Sequence, residues 1–477
     1  MTTSTPDAVA HHDSGSGDRA GRIELHGIDR IPDDERHGRA RELFAVWAAP
    51  NTAFLSIVIG ASPVLLGLNL WQALVAIVIG NLFSVFMGAV AVTGPVSGVP
   101  SQVTMRAMFG VRGNRVNMAI TGWFVCIAYL AINWAAASVT AFSFVGRFGV
   151  TVTTAVQVLV IVVIAVVTLA ISVYGHATIV KLYSPLVVVL AVVFAVFAYF
   201  VLTQGQWAGS GTSSLHGLEF WAAMTASIGI VASAPLSYNN TSDFARYLPR
   251  TTSPVAVATW TALGAMVPSL ILSPLGALAA ASVDMSDPEA GLESFLPLWF
   301  IPVFQIAVVV GTIANNATTA YSSGLTLQAI GVRLPRYVTV LLDGVVATAL
   351  TFYALLVSGF LESVNNMMQL MIALTGPVIA IYLSDIIMRR NRYDGAELSD
   401  ESPSSPFWFA NGVNWAGVFA MVAGAAATLF FVNAAIFTGP GATAIGGVDV
   451  SLPAGMLVAA VVYVVAMRRT PTPRRVQ

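Results

Sequence analysis

The chain has 477 residues, of which 56% are hydrophobic and only 9% charged, with a net charge of -1. A soluble domain carries about 25% charged residues and a polyanion binder needs a basic field, so a soluble enzyme, a disordered chain and a nucleic-acid binder are excluded. One cysteine, Cys126, excludes an internal disulfide framework or a thiolate metal cluster, which leaves an all-α polytopic membrane protein with about twelve transmembrane helices.

Residues 1–42 form a cytosolic N-terminal region holding 6 of the 22 basic and 9 of the 23 acidic residues. Its first 20 residues are Ser/Gly/Asp/His-rich, lack the apolar core of a signal peptide and read as disordered. His11 and His12 in this tail read as inert rather than as a metal pair. Residues 27–36 read as a short element leading into the first span. Apolar stretches then predict spans at about 43–68, 71–95, 117–146, 151–173, 179–202, 219–245, 254–281, 298–330, 335–358, 364–388, 411–437 and 451–467. A cytosolic loop at 389–410 separates the last two from the rest, and a basic, Pro-rich tail at 468–477 closes the chain.

With the N-terminus inside, 21 of 22 Arg/Lys residues fall on the cytoplasmic side, and only Arg147 falls outside. That asymmetry predicts cytoplasmic termini in a multi-pass inner-membrane protein. The loop between spans 7 and 8 is acidic instead, with Asp284, Asp287, Glu289 and Glu293.

Two spans carry matching interruptions. Span 1 contains Trp47-Ala-Ala-Pro50-Asn51-Thr52, and span 6 contains Ser233-Ala-Pro235-Leu-Ser237-Tyr238-Asn239-Asn240-Thr241. Proline removes a helix hydrogen bond, and in a bilayer each freed backbone group must find another partner. Spans 1 and 6 are five apart and enter from opposite faces. This predicts two inverted five-helix repeats, at 43–202 and 219–388, with a site at their interface.

Polar groups within spans usually face a cavity or a partner. Span 8 carries Gln305, Thr312, Asn316 and Thr319 at helical spacing, and span 3 carries Trp123, Cys126, Asn133 and Trp134. Trp134 and Cys126 read as packing residues. Among the few carboxylates, Asp385 precedes Arg389 by four residues, which favours a local ion pair. Asp343 in span 9 reads as pairing with Arg336 or taking a proton. Asp243 near Arg246 reads as a gate or salt bridge.

The segments Trp47-Ala-Ala-Pro-Asn51, Gly80-Asn81, Arg106-Ala-Met-Phe109-Gly110-Val-Arg-Gly113 and Gly122-Trp123 resemble, in order and placement, those of the nucleobase–cation symporter-1 family. So do Ser242-Asp243-Phe244-Ala245-Arg246-Tyr247-Leu248-Pro249, Asn315-Asn316 with Tyr321-Ser322-Ser323-Gly324-Leu325, and Tyr382-Leu-Ser-Asp385 with Arg389-Arg390. The resemblance covers about residues 27–470 and points to the purine/cytosine permease branch. It implies the leucine-transporter-like fold, with helices 11 and 12 added, and import of a nucleobase or related planar heterocycle by alternating access. It assigns Trp123 to stacking and Asn316 to the ring edge, with Asn51 and the stretch holding Val231, Ser233 and Ser237 lining the pocket. An aromatic face and amides are what a flat, neutral, hydrogen-bonding ring needs.

Two departures from that pattern stand out. Ile120 replaces a glutamine of related cytosine permeases and Val231 a phenylalanine, which widens the pocket toward purines. In sodium-coupled relatives a cation lies between carbonyls at the span 1 break, here Ala49 and Pro50, and span 8, here near Gly311. The two hydroxyl side chains that complete such a site are replaced by Ala314 and Asn315. The expected coupling ion is therefore H+ rather than Na+, with Asp343 the first carboxylate to test. The alternatives are a same-fold transporter for hydantoin or allantoin, a vitamin or an amino acid. No catalytic residue, resident metal or cofactor is expected. The partners are the heterocyclic substrate and the lipid bilayer.

Overall fold

The computed structural model describes residues 19–206, 215–285, 287–356, 360–434 and 437–469. His11, His12, most of the N-terminal stretch read as disordered, and the tail from 470 onward lie outside the described residues. Among the described residues the structure is helical, apart from two isolated bridges at Ala410–Val413 and Asn433–Thr438.

Helices stand at each of the twelve expected spans. Among the described residues nine are long and apolar enough to cross a bilayer, and Glu42–Asn51 with Phe54–Leu65 form a tenth, bent by 60°. The remaining two are Phe360–Arg389 and the shorter apolar Trp415–Phe431. Local chemistry sets several of the ends. Span 2, Leu70–Ser97, opens on a capping box in which the Asn69 side chain accepts from the Gln72 amide at 3.0 Å and Gln72 reciprocates at 3.0 Å. Span 7, Pro254–Ser282, opens on Ser253 followed by a proline at its first position.

Spans 1 and 6 break where expected, but proline alone is not the cause. Pro185, Pro268, Pro274 and Pro377 all sit inside helices that continue. At the two breaks the helix ends one or two residues beyond its proline. Thr52 has φ -85° and ψ 64°, and Tyr238 has φ -85° and ψ 60°. What distinguishes these places is the run of polar side chains that follows, which can take up the freed backbone groups.

The packing carries the inverted repeat. Span 1 packs on span 7 and span 2 on span 6, which are one pair seen twice if spans 1–5 map onto 6–10. Span 3 packs on spans 8 and 9, and span 4 on spans 8 and 9, by the same mapping. Spans 11 and 12 pack on each other and on span 10. One apolar cluster joins spans 1, 2, 5, 6, 7 and 8, including Ile57, Ile77, Phe197, Val231, Leu278 and Phe304. A second, around Leu130, Trp134, Ile164 and Val340, joins spans 3, 4, 8 and 9.

The described part of the N-terminal region folds back onto the arginine-rich face. Ile31 is fully buried and its amide donates to the Gly98 carbonyl at 2.9 Å.

Candidate functional site

At the span 1 break the carbonyls of Trp47 to Asn51 are each answered by a donor. Asn51 Nδ2 donates to the Trp47 carbonyl at 2.8 Å, and Thr52 Oγ1 to the Ala48 carbonyl at 2.7 Å. The Thr52 amide reaches Ala49 at 3.3 Å, and Ser56 Oγ donates to the Asn51 carbonyl at 2.9 Å. The Pro50 carbonyl is met from the other repeat by Asn315 Nδ2 at 2.9 Å. Span 8 comes this close because of Gly311: a Cβ there would lie 2.7 Å from the Thr52 carbonyl oxygen. The neighbouring Ala314 carbonyl accepts from the Tyr183 hydroxyl of span 5.

At the span 6 break, Ser233 Oγ donates to the Ile230 carbonyl at 2.6 Å and Ser237 Oγ to the Ala234 carbonyl at 2.7 Å. Farther along, Asn239 Nδ2 reaches the Thr121 carbonyl of span 3 at 3.3 Å and Thr241 Oγ1 the Met87 carbonyl of span 2 at 2.8 Å. The Tyr238 ring stands edge-on to Trp47, with centroids 5.2 Å apart, and lies beside Asn315. The Tyr129 side chain of span 3 lies beside Ser237. The two breaks therefore meet through the Tyr238–Trp47 contact and the Asn315–Pro50 bond, with the side chains of Tyr238, Asn315 and Tyr129 adding hydrogen-bonding groups that carry no charge. Sequence reading named Asn315 but missed both tyrosines. Their only signal was an aromatic residue one or two turns beyond the expected stacking tryptophan, and one inside the polar run of span 6.

The other expected residues are placed as follows. Asn316 is fully buried; its Oδ1 accepts from Asn133 at 3.0 Å and its Nδ2 donates to the Leu130 carbonyl at 2.9 Å. Both ends of the amide are thus already engaged with span 3. Val231 packs on Gly80 of span 2, where a Cβ would come within 2.6 Å of it. Trp123 lies in a π-helical stretch, Met118–Phe124, the kind of irregularity often found at functional positions. Its ring packs with the cluster of spans 3, 4, 8 and 9, and its Nε1 donates to Asp343 Oδ1 at 2.6 Å. Asp343 has no exposure, and its Oδ2 makes no hydrogen bond. Trp123, not Arg336, is therefore its partner.

Arg336 serves a different carboxylate. Glu24, from the N-terminal segment, has a side chain only 1% exposed. Its Oε1 accepts from the Tyr321 hydroxyl at 3.0 Å and from the Tyr247 hydroxyl, with Arg246 Nη2 at 3.5 Å. Its Oε2 accepts from the His176 amide at 2.7 Å and lies 3.6 Å from Arg336 Nη2. Arg246 also donates to the Gly27 carbonyl at 2.7 Å. Asp243, expected beside Arg246, instead accepts from the Ser101 amide at 3.0 Å and Gln102 Nε2 at 2.8 Å. Asp385 and Arg389 form the ion pair their spacing suggested, at 2.9 Å, and Tyr463 Oη adds a bond at 2.7 Å.

Against known proteins, residues 30–455 match the family described as permease for cytosine/purines, uracil, thiamine, allantoin. A putative purine-cytosine permease, YxlA of Bacillus subtilis (strain 168), is 28% identical over 463 residues, covering 94% of this chain and 96% of that protein. Among solved structures, Mhp1, a nucleobase-cation-symport-1 family transporter in a closed conformation with bromovinylhydantoin bound, has a TM-score of 0.73 at 18% identity, covering 95% of this chain and 94% of that one. A Na+-coupled sialic acid symporter in a substrate-bound outward-open state has a TM-score of 0.58 at 12% identity, covering 92% of each chain. These likenesses show the leucine-transporter-like fold.

Proposed function

The chain belongs to the family of permeases for cytosine/purines, uracil, thiamine and allantoin, and we propose that it imports a nucleobase, purine or cytosine, or a related planar heterocycle, by alternating access coupled to H+ rather than Na+. The observation that carries this reading is the Asn315 amide donating to the Pro50 carbonyl. A sodium ion at the break needs free oxygen ligands, and here an N–H group fills the direction from which one would be bound. The hydroxyl and amide groups of Tyr129, Tyr238 and Asn315 supply donors and acceptors for the edge of a neutral ring. Trp123 is assigned to stacking and Asn316 to the ring edge through the second N–H of an amide that span 3 already orients, with Asn51, Ser233, Ser237 and Val231 around them. Intramembrane carboxylates mark proton paths, and Asp343, buried without a cationic partner, is assigned to carry the proton. The termini are placed in the cytoplasm on the strength of the arginine asymmetry.

The test is uptake of radiolabelled adenine, guanine, cytosine and uracil into proteoliposomes under an inward H+ gradient or an inward Na+ gradient, each imposed alone. The expected result is accumulation driven by H+ alone. Asp343→Asn should cut accumulation about tenfold or more while leaving exchange of labelled for unlabelled substrate intact. Accumulation driven only by Na+ would overturn the coupling, and no response to any of the four bases would overturn the substrate class.

A further inference from the structure

The acidic loop between spans 7 and 8 is not used by this transport reading, yet it is built against the membrane domain with care. Its short helix, Pro288–Glu293, is capped by Asp287, whose carboxylate accepts from the Glu289 amide at 3.1 Å and the Ala290 amide at 3.2 Å. Glu289 is 8% exposed. Gln305, at the adjoining end of span 8, is fully buried, and its Nε2 faces three oxygens: Glu293 Oε1 at 2.6 Å, Ser143 Oγ of span 3 at 3.0 Å and Glu289 Oε1 at 3.3 Å. Arg147 of span 3 pairs with Glu293 through its other oxygen.

Two features of this cluster do not balance. Two N–H bonds serve three acceptors, while the buried Gln305 Oε1 has no donor among the described residues. Two carboxylates face a single guanidinium, and that guanidinium is on Glu293. The charged and titratable groups facing Glu289 are Glu293 and Asp287 of its own segment; span 8 contributes only Gln305, and span 3 contributes Ser143 and, by way of Glu293, Arg147. One additional hydrogen removes both defects. A carboxylic acid and a primary amide can pair through two hydrogen bonds, the amide N–H to the acid C=O and the acid O–H to the amide C=O.

We propose that Glu289, Glu293 and Gln305 form a proton-binding latch: one proton held on the carboxyl pair fastens the loop between spans 7 and 8 to the ends of spans 3 and 8, on the face opposite the arginine-rich one. Glu289 is the member that takes the proton, because the Arg147 guanidinium lies on Glu293 and offsets part of the rise that burial imposes there, while Glu289 has no such cation beside it. Burial first, then the neighbouring Glu293 and Asp287 charges, pushes Glu289 up to about 7 from 4.5. A carboxyl so raised favours the closed arrangement in acid and releases it as pH rises through that value.

The test uses purified full-length protein without substrate, so its failure is distinct from failure of the transport reading. Amide hydrogen exchange across 283–296, normalised to intrinsic rates, is compared at about pH 5.5 and about pH 8.5. Protection should fall about tenfold or more at the higher pH. Glu289→Gln, which keeps the hydrogen bonds but cannot titrate, should hold high protection at both. Gln305→Met, which removes the amide, should show low protection at both while the rest of the protein exchanges normally. Equal protection of the wild type at the two pH values, or a pH response that persists in Glu289→Gln, would overturn the latch.

Discussion

At the arginine-rich end of the bundle one carboxylate, Glu24, meets two guanidinium groups, two tyrosine hydroxyls and a backbone amide, and none of these groups faces solvent. At the opposite end two carboxylates, Glu289 and Glu293, meet one guanidinium and one amide side chain. Both arrangements tie an extramembrane segment to several spans, but the balance of charge is reversed. Excess cation and hydroxyl donors around Glu24 supply its carboxylate with more partners than it has oxygens. Excess carboxylate around Gln305 leaves room for a proton. The difference teaches that two buried ties of similar position can differ in the ratio of donors to carboxylates, and that this ratio, more than burial alone, decides what each tie still lacks.

The largest effect should come from the tie at the arginine-rich end. Glu24→Ala leaves Arg246 and Arg336 buried without their carboxylate, and breaking a buried pair costs about 3–5 kcal/mol. Thermal unfolding of the purified protein should show a large loss, with Glu24→Gln milder because its carbonyl still accepts from Tyr321. If Glu24→Ala costs no more than removal of Glu293, the contrast between the two ends collapses.

A middle-sized effect is expected from pH at the opposite, carboxylate-rich end. Because the Glu289 carboxyl lies at about 7 in the folded chain against 4.5 otherwise, the folded state holds the extra proton. Its stability contribution is present in acid and lost as pH rises between those two values. The change amounts to roughly 2–3 kcal/mol. Denaturation midpoints measured across that window should fall in the wild type and fall less in Glu289→Gln.

The smallest effect should follow Arg147→Gln. Its side chain is 31% exposed, and partly exposed pairs contribute about 0–1 kcal/mol. Its sharper consequence is electrostatic. With the guanidinium gone, Glu293 competes for the proton, so the exchange transition of the 283–296 segment should move to higher pH. An unmoved transition would remove Arg147 from the account of the latch.

Much of the architecture was legible in the sequence. Apolar runs located the spans, and proline followed by polar residues located both breaks, because each acts through its own few residues of backbone. The ion pair of Asp385 with Arg389 was legible for the same reason, being one helical turn long. Partners across the fold were not. Asp343 was matched to its sequence neighbour Arg336, yet it meets Trp123, 220 residues away. Arg246 was matched to Asp243 and goes instead to Glu24, 222 residues away. Asn316 was matched to a ring-edge asparagine, but nothing in the sequence marked Asn133 and the Leu130 carbonyl as the groups that orient its amide.

The sequence by itself therefore determined the solvent of the protein, the number of its crossings, the side on which its basic residues gather and the two points where helices must stop. Hydropathy, charge and proline settle these locally, whatever the helices do next. Only the tertiary structure decided which carbonyl each amide answers and which carboxylate each arginine meets. In a bilayer those choices fall to whichever polar group a neighbouring helix brings within about 3 Å, and the inverted packing of two distant repeats sets which neighbour that is.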